Sequence, residues 1–208
     1  MDYEILPLFS FPVAVIDLDE DFSNIENSID SIKFRKIDKC EINSSQNCYI
    51  ANSSNFLTQF PEEKNILLHY FYEYKNNILG LKTIDFIITS SWMNKIENDG
   101  YGHYHCHTNS IYSGIFYFDS YDSGELMFYN PFPTTFELDP DDDIEDNVFN
   151  SHKWTIEPQK NRLVIFPSQL YHQVLKNTSG KNRYSLAFNL FPCGRFGEID
   201  SALNINHV

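Results

Sequence analysis

The sequence predicts a mainly β protein of the jelly-roll type with helices flanking its amino-terminal side, and three observations carry that expectation. After Gly80, short runs rich in Ile, Phe, Tyr, Val and Trp follow one another with turn residues between them and no intervening helix. Aromatic residues make up 16% of the chain, with 18 Phe and 13 Tyr, and such broad, stiff side chains suit a pleated surface. Helical spacing is found only before Gly80.

Taken in order, Ile5 to Asp17 is apolar with two prolines, Pro7 and Pro12, and reads as an edge strand. Asp21 to Phe34 has helical spacing at Phe22, Ile25, Ile29 and Ile32. A stronger helix spans Glu62 to Leu79, started by Pro61, acidic in its first turn and stopped by Gly80. Strands are then expected over Thr83 to Lys95, Ile111 to Asp119, Glu125 to Asn130, Lys153 to Glu157, Arg162 to Pro167 and Arg183 to Phe191. Asp122-Ser123-Gly124 and Asn177-Thr178-Ser179-Gly180 read as hairpin-like connections. The expected organisation is one domain over residues 1–208: a flanking region at 1–80, a jelly-roll core at 81–192 and a tail at 193–208.

Composition excludes several classes. With 42% hydrophobic and 21% charged residues, the chain reads as globular rather than disordered or fibrous. A net charge of −14 argues against gripping a nucleic-acid backbone, a task that needs clustered Lys and Arg. Much of the acidity lies in Glu137 to Asp146, which reads as a solvated loop. No apolar run approaches the roughly 18 residues of a membrane span, and the start Met1-Asp2-Tyr3-Glu4 lacks signal-peptide character, so a cytoplasmic location is the expectation. Cys40, Cys48, Cys106 and Cys193 form no C-x-x-C pair and read as reduced thiols. Oligomeric state stays open, since exposed strand edges either pair between subunits or are covered by the amino-terminal helices.

The chemistry concentrates in Gly102-His103-Tyr104-His105-Cys106-His107. On an extended chain, residues i and i+2 project from one face, so His105 and His107 can converge on one ion. The alternative is a polar strand end whose histidines face water. His172, just past the apolar run ending Phe166-Pro167, is a third candidate ligand. In the last strand, alternation puts Arg183, Ser185, Ala187 and Asn189 on one face and Tyr184, Leu186, Phe188 and Leu190 on the other. Either that polar face meets solvent, or an inward Arg183 beside Ser185 offers a planar fork and a hydroxyl to a buried carboxylate.

In this order the residues resemble the iron(II)/2-oxoglutarate-dependent oxygenases, whose fold is a double-stranded β-helix, the cupin-like jelly roll. The resemblance runs through His105-Cys106-His107-Thr108-Asn109-Ser110, Ser113-Gly114-Ile115-Phe116-Tyr117, Ser123-Gly124-Glu125, Phe166-Pro167, His172-Gln173-Val174 and Arg183-Tyr184-Ser185. It is closest to a phage and bacterial group with the pattern H-x-H-x-N-S, S-G-x-x-Y, F-P and R-x-S, and it covers roughly the carboxy-terminal half. The resemblance implies His105, His107 and His172 as metal ligands, Arg183 and Ser185 at the distal carboxylate of 2-oxoglutarate, and Tyr117 either at that carboxylate or as an ordinary core aromatic. His103 is a flanking residue or a substitute ligand. Most of the superfamily has a carboxylate where His107 stands.

The implied activity is oxidation of a substrate C–H bond, using Fe(II), 2-oxoglutarate and O2 and releasing succinate and CO2. The implied substrate is a protein side chain or a small molecule. Trp92, Asn94, Asn109 and the segment Asn130 to Lys153, the last as a lid, are candidate substrate-side elements. Two other readings stay open at this stage. One is a three-histidine cupin-like dioxygenase or zinc hydrolase that makes no use of 2-oxoglutarate. The other is a non-catalytic jelly-roll binding module.

Overall fold

Two antiparallel sheets enclose an apolar interior in the computed structural model, which describes residues 4–6, 9–37, 46–132 and 147–206. The larger sheet is built from β1 (Ala14–Asp17), β2 (Phe34–Lys36), β3 (Gln46–Ala51), β4 (Asp85–Tyr101), β5 (Tyr112–Tyr117), β8 (Arg162–Pro167) and β10 (Arg183–Phe196). Their order across the sheet is β1-β8-β5-β10-β4-β3-β2, and β11 (Leu203–Ile205) pairs with the far end of β10. The smaller sheet contains β6 (Leu126–Tyr129), β7 (Lys153–Ile156) and β9 (His172–Val174), in the order β7-β6-β9. The expected jelly roll is what forms; the edge strand expected over Ile5 to Asp17 is confined to β1, which begins after Pro12 and lies at the sheet edge.

β10 organises the molecule because its two faces do different work. Leu186, Phe188 and Leu190 point outward into a core shared with Phe22, with Ile25 of α1 (Ser23–Ser28) and with Leu67 and Phe71 of α2 (Pro61–Asn77). Phe22 stacks on Phe116 of β5 with ring centroids 4.1 Å apart. Gly114 makes room for this packing, since a Cβ there would lie 2.2 Å from Cζ of Phe188. The opposite face carries Arg183, Ser185 and Ala187, all buried, toward the space between the sheets. There Ile115 and Phe166 from the larger sheet meet Leu126 and Phe128 from the smaller one.

α2 follows its sequence signals closely. Pro61 opens it, Glu62 and Glu63 occupy its first turn, and Lys75 near its end donates Nζ hydrogen bonds to the Leu81 carbonyl and the Asn76 side chain. The expected helix at Asp21 to Phe34 is shorter. α1 ends at Ser28 and becomes a 3-10 turn at Ile29–Ser31, where the Ser28 and Ser31 hydroxyls bond back to the carbonyls of Ile25 and Ser28.

Other boundaries move for tertiary reasons. β4 runs on past Lys95 through polar residues because β10 and β3 supply ladder partners as far as Ile96 and Tyr101. β2, β3, β9 and β11 are short or polar and carry no alternation strong enough to mark them. The two hairpin-like connections are corrected: Asp122-Ser123-Gly124 links β5 to β6 and Asn177-Thr178-Ser179-Gly180 links β9 to β10, and each crosses from one sheet to the other. The acidic stretch Glu137 to Asp146 and Cys40 lie outside the described residues, while Cys48, Cys106 and Cys193 are free thiols. Among the described residues no helix is long and apolar enough to cross a membrane.

Candidate metal centre and its pocket

The main chain brings the three histidines together. His105 and His172 form an isolated antiparallel bridge, His105 N–H donating to the His172 carbonyl at 2.9 Å and His172 N–H donating back at 2.8 Å. His107 N–H donates to the Ser168 carbonyl at 2.8 Å, which ties the next residue but one to the same loop. Side chains at i and i+2 then share a face, and the His105, His107 and His172 ring nitrogens all lie within 4.8 Å of one another.

Each ring is oriented through Nδ1. His105 Nδ1 lies 2.9 Å from the His103 carbonyl, and His172 Nδ1 lies 2.9 Å from the Leu170 carbonyl. His107 Nδ1 is 2.7 Å from both Asn189 Oδ1 and Ser113 Oγ. With Nδ1 donating to an oxygen, Nε2 is the nitrogen each ring has left for a metal. Burial disfavours protonation of all three, holding His105 down at about 4, His107 below the usual imidazole range and His172 well below it. They are neutral at neutral pH, as a ligand must be.

A cavity of about 330 Å³ opens beside these rings, with Arg183, Ser185 and Asn189 in its wall. Arg183 is 1% exposed, and Nε, Nη1 and Nη2 have no hydrogen-bond partner among the described residues. Its Cζ sits 4.9 Å from the ring centroid of Tyr117, whose hydroxyl is also buried and unpartnered. Burial pushes the Tyr117 phenol up while the adjacent guanidinium pulls it down, although no aligned hydrogen bond joins the two. Ser185 and Tyr117 are cross-strand partners between β10 and β5. Gly124, at φ +77°, passes close over Arg183; a Cβ there would lie 3.2 Å from Cδ of the arginine.

These residues fit a divalent cation and a dicarboxylate. Three neutral imidazoles with fixed rings supply a ligand face for the cation. A buried guanidinium with no counter-charge among the described residues is costly unless a bound anion pairs with it.

Of the remaining sequence candidates, His103 stacks on His105 at 4.1 Å and lines the cavity but stands outside the convergent group. Asp119, the first carboxylate after His107 in the chain, is exposed and accepts from its neighbour Ser120 N–H, so it brings no carboxylate to the centre. Trp92 and Asn94 line the cavity, the Trp92 ring lying 5.6 Å from that of His107. Asn109 is not in the cavity wall; its positive φ of 54° shapes the turn before β5. Most of the supposed lid lies outside the described residues, and Asn130, Pro131 and Phe132 border a separate cleft between β1 and β7. Sequence reasoning assigned no role to Asn189 and Ser113, whose only signals were a place on the Arg183 face and a serine in the S-G-x-x-Y element.

The geometry defines a class, a jelly-roll barrel with three converged histidines and a buried arginine in one cavity, and comparison with known proteins gives the family of the segment that holds them. Residues 90–189, which hold all three histidines and Arg183, match the family described as "Putative 2OG-Fe(II) oxygenase". A search of curated proteins finds no significant match. Among solved structures, the fold is similar to a Pseudomonas putida prolyl-4-hydroxylase, with 14% identity over 88% of this chain and 94% of that one and a TM-score of 0.56. It is also similar to a Trichoplax adhaerens prolyl hydroxylase crystallised with a hypoxia inducible factor peptide, with 16% identity over 86% and 83% of the two chains and a TM-score of 0.55. Streptomyces hygroscopicus HygX, solved with nickel and 2-oxoglutarate bound, shares 8% identity over 86% and 82% of the chains, with a TM-score of 0.56. The match over residues 90–189, together with these folds, indicates a 2OG-Fe(II) oxygenase, an enzyme dependent on Fe(II), 2-oxoglutarate and O2. Neither the zinc hydrolase nor the non-catalytic module is favoured by these matches.

Proposed function

We propose that this oxygenase hydroxylates a C–H bond on an uncharged group of a protein side chain or small molecule, with His105, His107 and His172 as the iron ligands. Arg183 is the receptor for the distal carboxylate of 2-oxoglutarate, supported by Ser185, and Tyr117 braces the guanidinium from its ring face. The observation that carries this reading is the buried Arg183, whose three nitrogens have no acceptor among the described residues, at the end of a cavity that reaches three converged histidines. A planar fork of donors matches a carboxylate bidentately.

When bound, iron supplies the coupling of 2-oxoglutarate decarboxylation to oxidation of substrate by O2, giving hydroxylated product, succinate and CO2. The protein's own residues do the rest. The Nδ1 hydrogen bonds fix the rings, Arg183 sets the depth and direction of the co-substrate, and the apolar wall formed by Ile50, Trp92, Ile96 and Ile115 keeps water from the reacting atoms. Apart from Arg183 and the histidines, the described lining carries no acidic or basic side chain. A charged substrate group would sit there unpaired, which favours a neutral one. The peptide in one structural relative and hygromycin B in another bracket the size range of such substrates.

The test is succinate formation from 2-oxoglutarate with Fe(II) and ascorbate. Wild-type protein gives slow uncoupled turnover without added substrate, and His172→Ala gives none and binds no stoichiometric metal. Equal turnover in both proteins contradicts the ligand assignment.

A further inference from the structure

The three histidines are held in two different ways. His105 and His172 give Nδ1 to main-chain carbonyls two residues back, at His103 and Leu170, so any sequence with that backbone path holds them equally well. His107 has no such main-chain acceptor. Its Nδ1 meets only side-chain oxygens, Asn189 Oδ1 and Ser113 Oγ, each at 2.7 Å.

Those oxygens belong to a buried network. Ser113 donates its hydroxyl proton to Asn189 Oδ1 at 2.8 Å, and its oxygen lies 2.8 Å from Ser168 Oγ. Ser168 donates to Ser110 Oγ at 2.8 Å, and Ser110 in turn donates to the Tyr112 carbonyl at 2.8 Å. The three serines are between 0% and 4% exposed, so water does not compete. Because Ser113 itself donates to Asn189 Oδ1, that amide oxygen is where the donors converge: it accepts from Ser113 and, with Ser113 Oγ, faces the His107 N–H. β10 changes register against β4 directly after Asn189, a local irregularity of the kind that re-aims a side chain.

We propose that Asn189 is the positioning residue of the metal centre, setting through His107 alone how tightly the ion is held. The inference rests on the assignment of the three histidines as metal ligands. An amide oxygen orients the imidazole without placing a formal charge behind it, so the ion keeps three neutral ligands backed by neutral acceptors. Replacing a partner of this kind changes metal affinity about 10–100-fold.

Cobalt(II) titration of the metal-free protein, followed by its visible absorption, tests this without turnover. Asn189→Leu is expected to weaken Co(II) binding at least tenfold and to alter the ligand-field bands, with the metal-free melting temperature kept within a few degrees. Asn189→Asp retains an oxygen at the same reach and is expected to bind Co(II) at least as tightly as wild type. Ser113→Ala leaves the amide acceptor in place and is expected to bind within threefold of wild type. A loss of less than tenfold in Asn189→Leu, or an equal loss in Asn189→Asp, overturns the proposal. If Asn189→Leu does not fold, Asn189→Ser, too short to reach His107, carries the same expectation. Wild-type protein that takes up no Co(II) would sink the ligand assignment itself, whereas normal uptake by wild type and Asn189→Leu alike would sink only the role of Asn189.

Discussion

The two ends of the cavity differ in how complete they are. At the histidine end each Nδ1 already has an oxygen, and the rings stand neutral and fixed. At the Arg183 end a guanidinium is buried with its three nitrogens and a neighbouring phenol unpaired among the described residues. One end is organised by the protein alone, whereas under the proposed function the other is completed by a carboxylate. On that reading the histidine end tolerates an empty pocket, while the arginine end carries an unfavourable term that co-substrate binding relieves.

The largest effect should come from breaking the incomplete end. Arg183→Met removes the buried charge and keeps the volume, so the ligand-free protein should melt at the same temperature or higher. Its affinity for 2-oxoglutarate should fall about 100-fold or more, since removing one partner of a buried charge pair costs roughly 2–5 kcal/mol. Metal content should stay unchanged. Thermal melts with and without 2-oxoglutarate, alongside metal analysis, read all three outcomes.

Acid should separate the ends next. The folded-state pKa of His105 is about 4 and those of His107 and His172 are also depressed, against about 6.5 in an unfolded chain. Between these values the unfolded chain binds protons that the folded chain does not, so stability falls as pH drops from about 6.5 toward 4. Metal-free melting temperature should thus decline over that window in wild type and in Arg183→Met alike. A decline that disappears in Arg183→Met would mean the wrong end had been made responsible.

A smaller effect is expected at Tyr117. Tyr117→Phe keeps the ring beneath the guanidinium and removes one unpartnered hydroxyl. The 2-oxoglutarate dissociation constant should rise only about 3–10-fold, the worth of one hydrogen bond of roughly 0.5–1.5 kcal/mol, with ligand-free stability unchanged or slightly higher. A titration of the metal-loaded variant checks it.

How much of this was legible in the sequence follows from the range of the forces involved. Period-2 alternation in Arg183–Leu190 placed Arg183 and Ser185 on one face, and i, i+2 spacing put His105 beside His107. Local geometry was enough for both. The closeness of His172 to His105 comes from a bridge across 67 residues of sequence, which the order of motifs suggested but no local pattern could fix. The crossings at Asp122-Ser123-Gly124 and Asn177–Gly180 looked like hairpins because turn chemistry reports a reversal of direction and not the identity of the next neighbour. Asn189 escaped because a polar residue facing inward is indistinguishable, in one dimension, from a polar residue facing water. The strands β2 and β3 were hidden for a related reason: Arg35, Lys36 and Asn47 are polar, and the place of β2 at the sheet edge, with β3 beside it, tolerates them.

The most direct test of the two-ended pocket is a pair of titrations into manganese-loaded protein, one with 2-oxoglutarate and one with 2-oxobutyrate, which has the same keto acid head and no distal carboxylate. Wild type should prefer 2-oxoglutarate by about 100-fold, and Arg183→Met should bind the two acids with similar, weak affinity. Equal affinities in wild type, or a preference for 2-oxoglutarate that survives in Arg183→Met, would contradict the account.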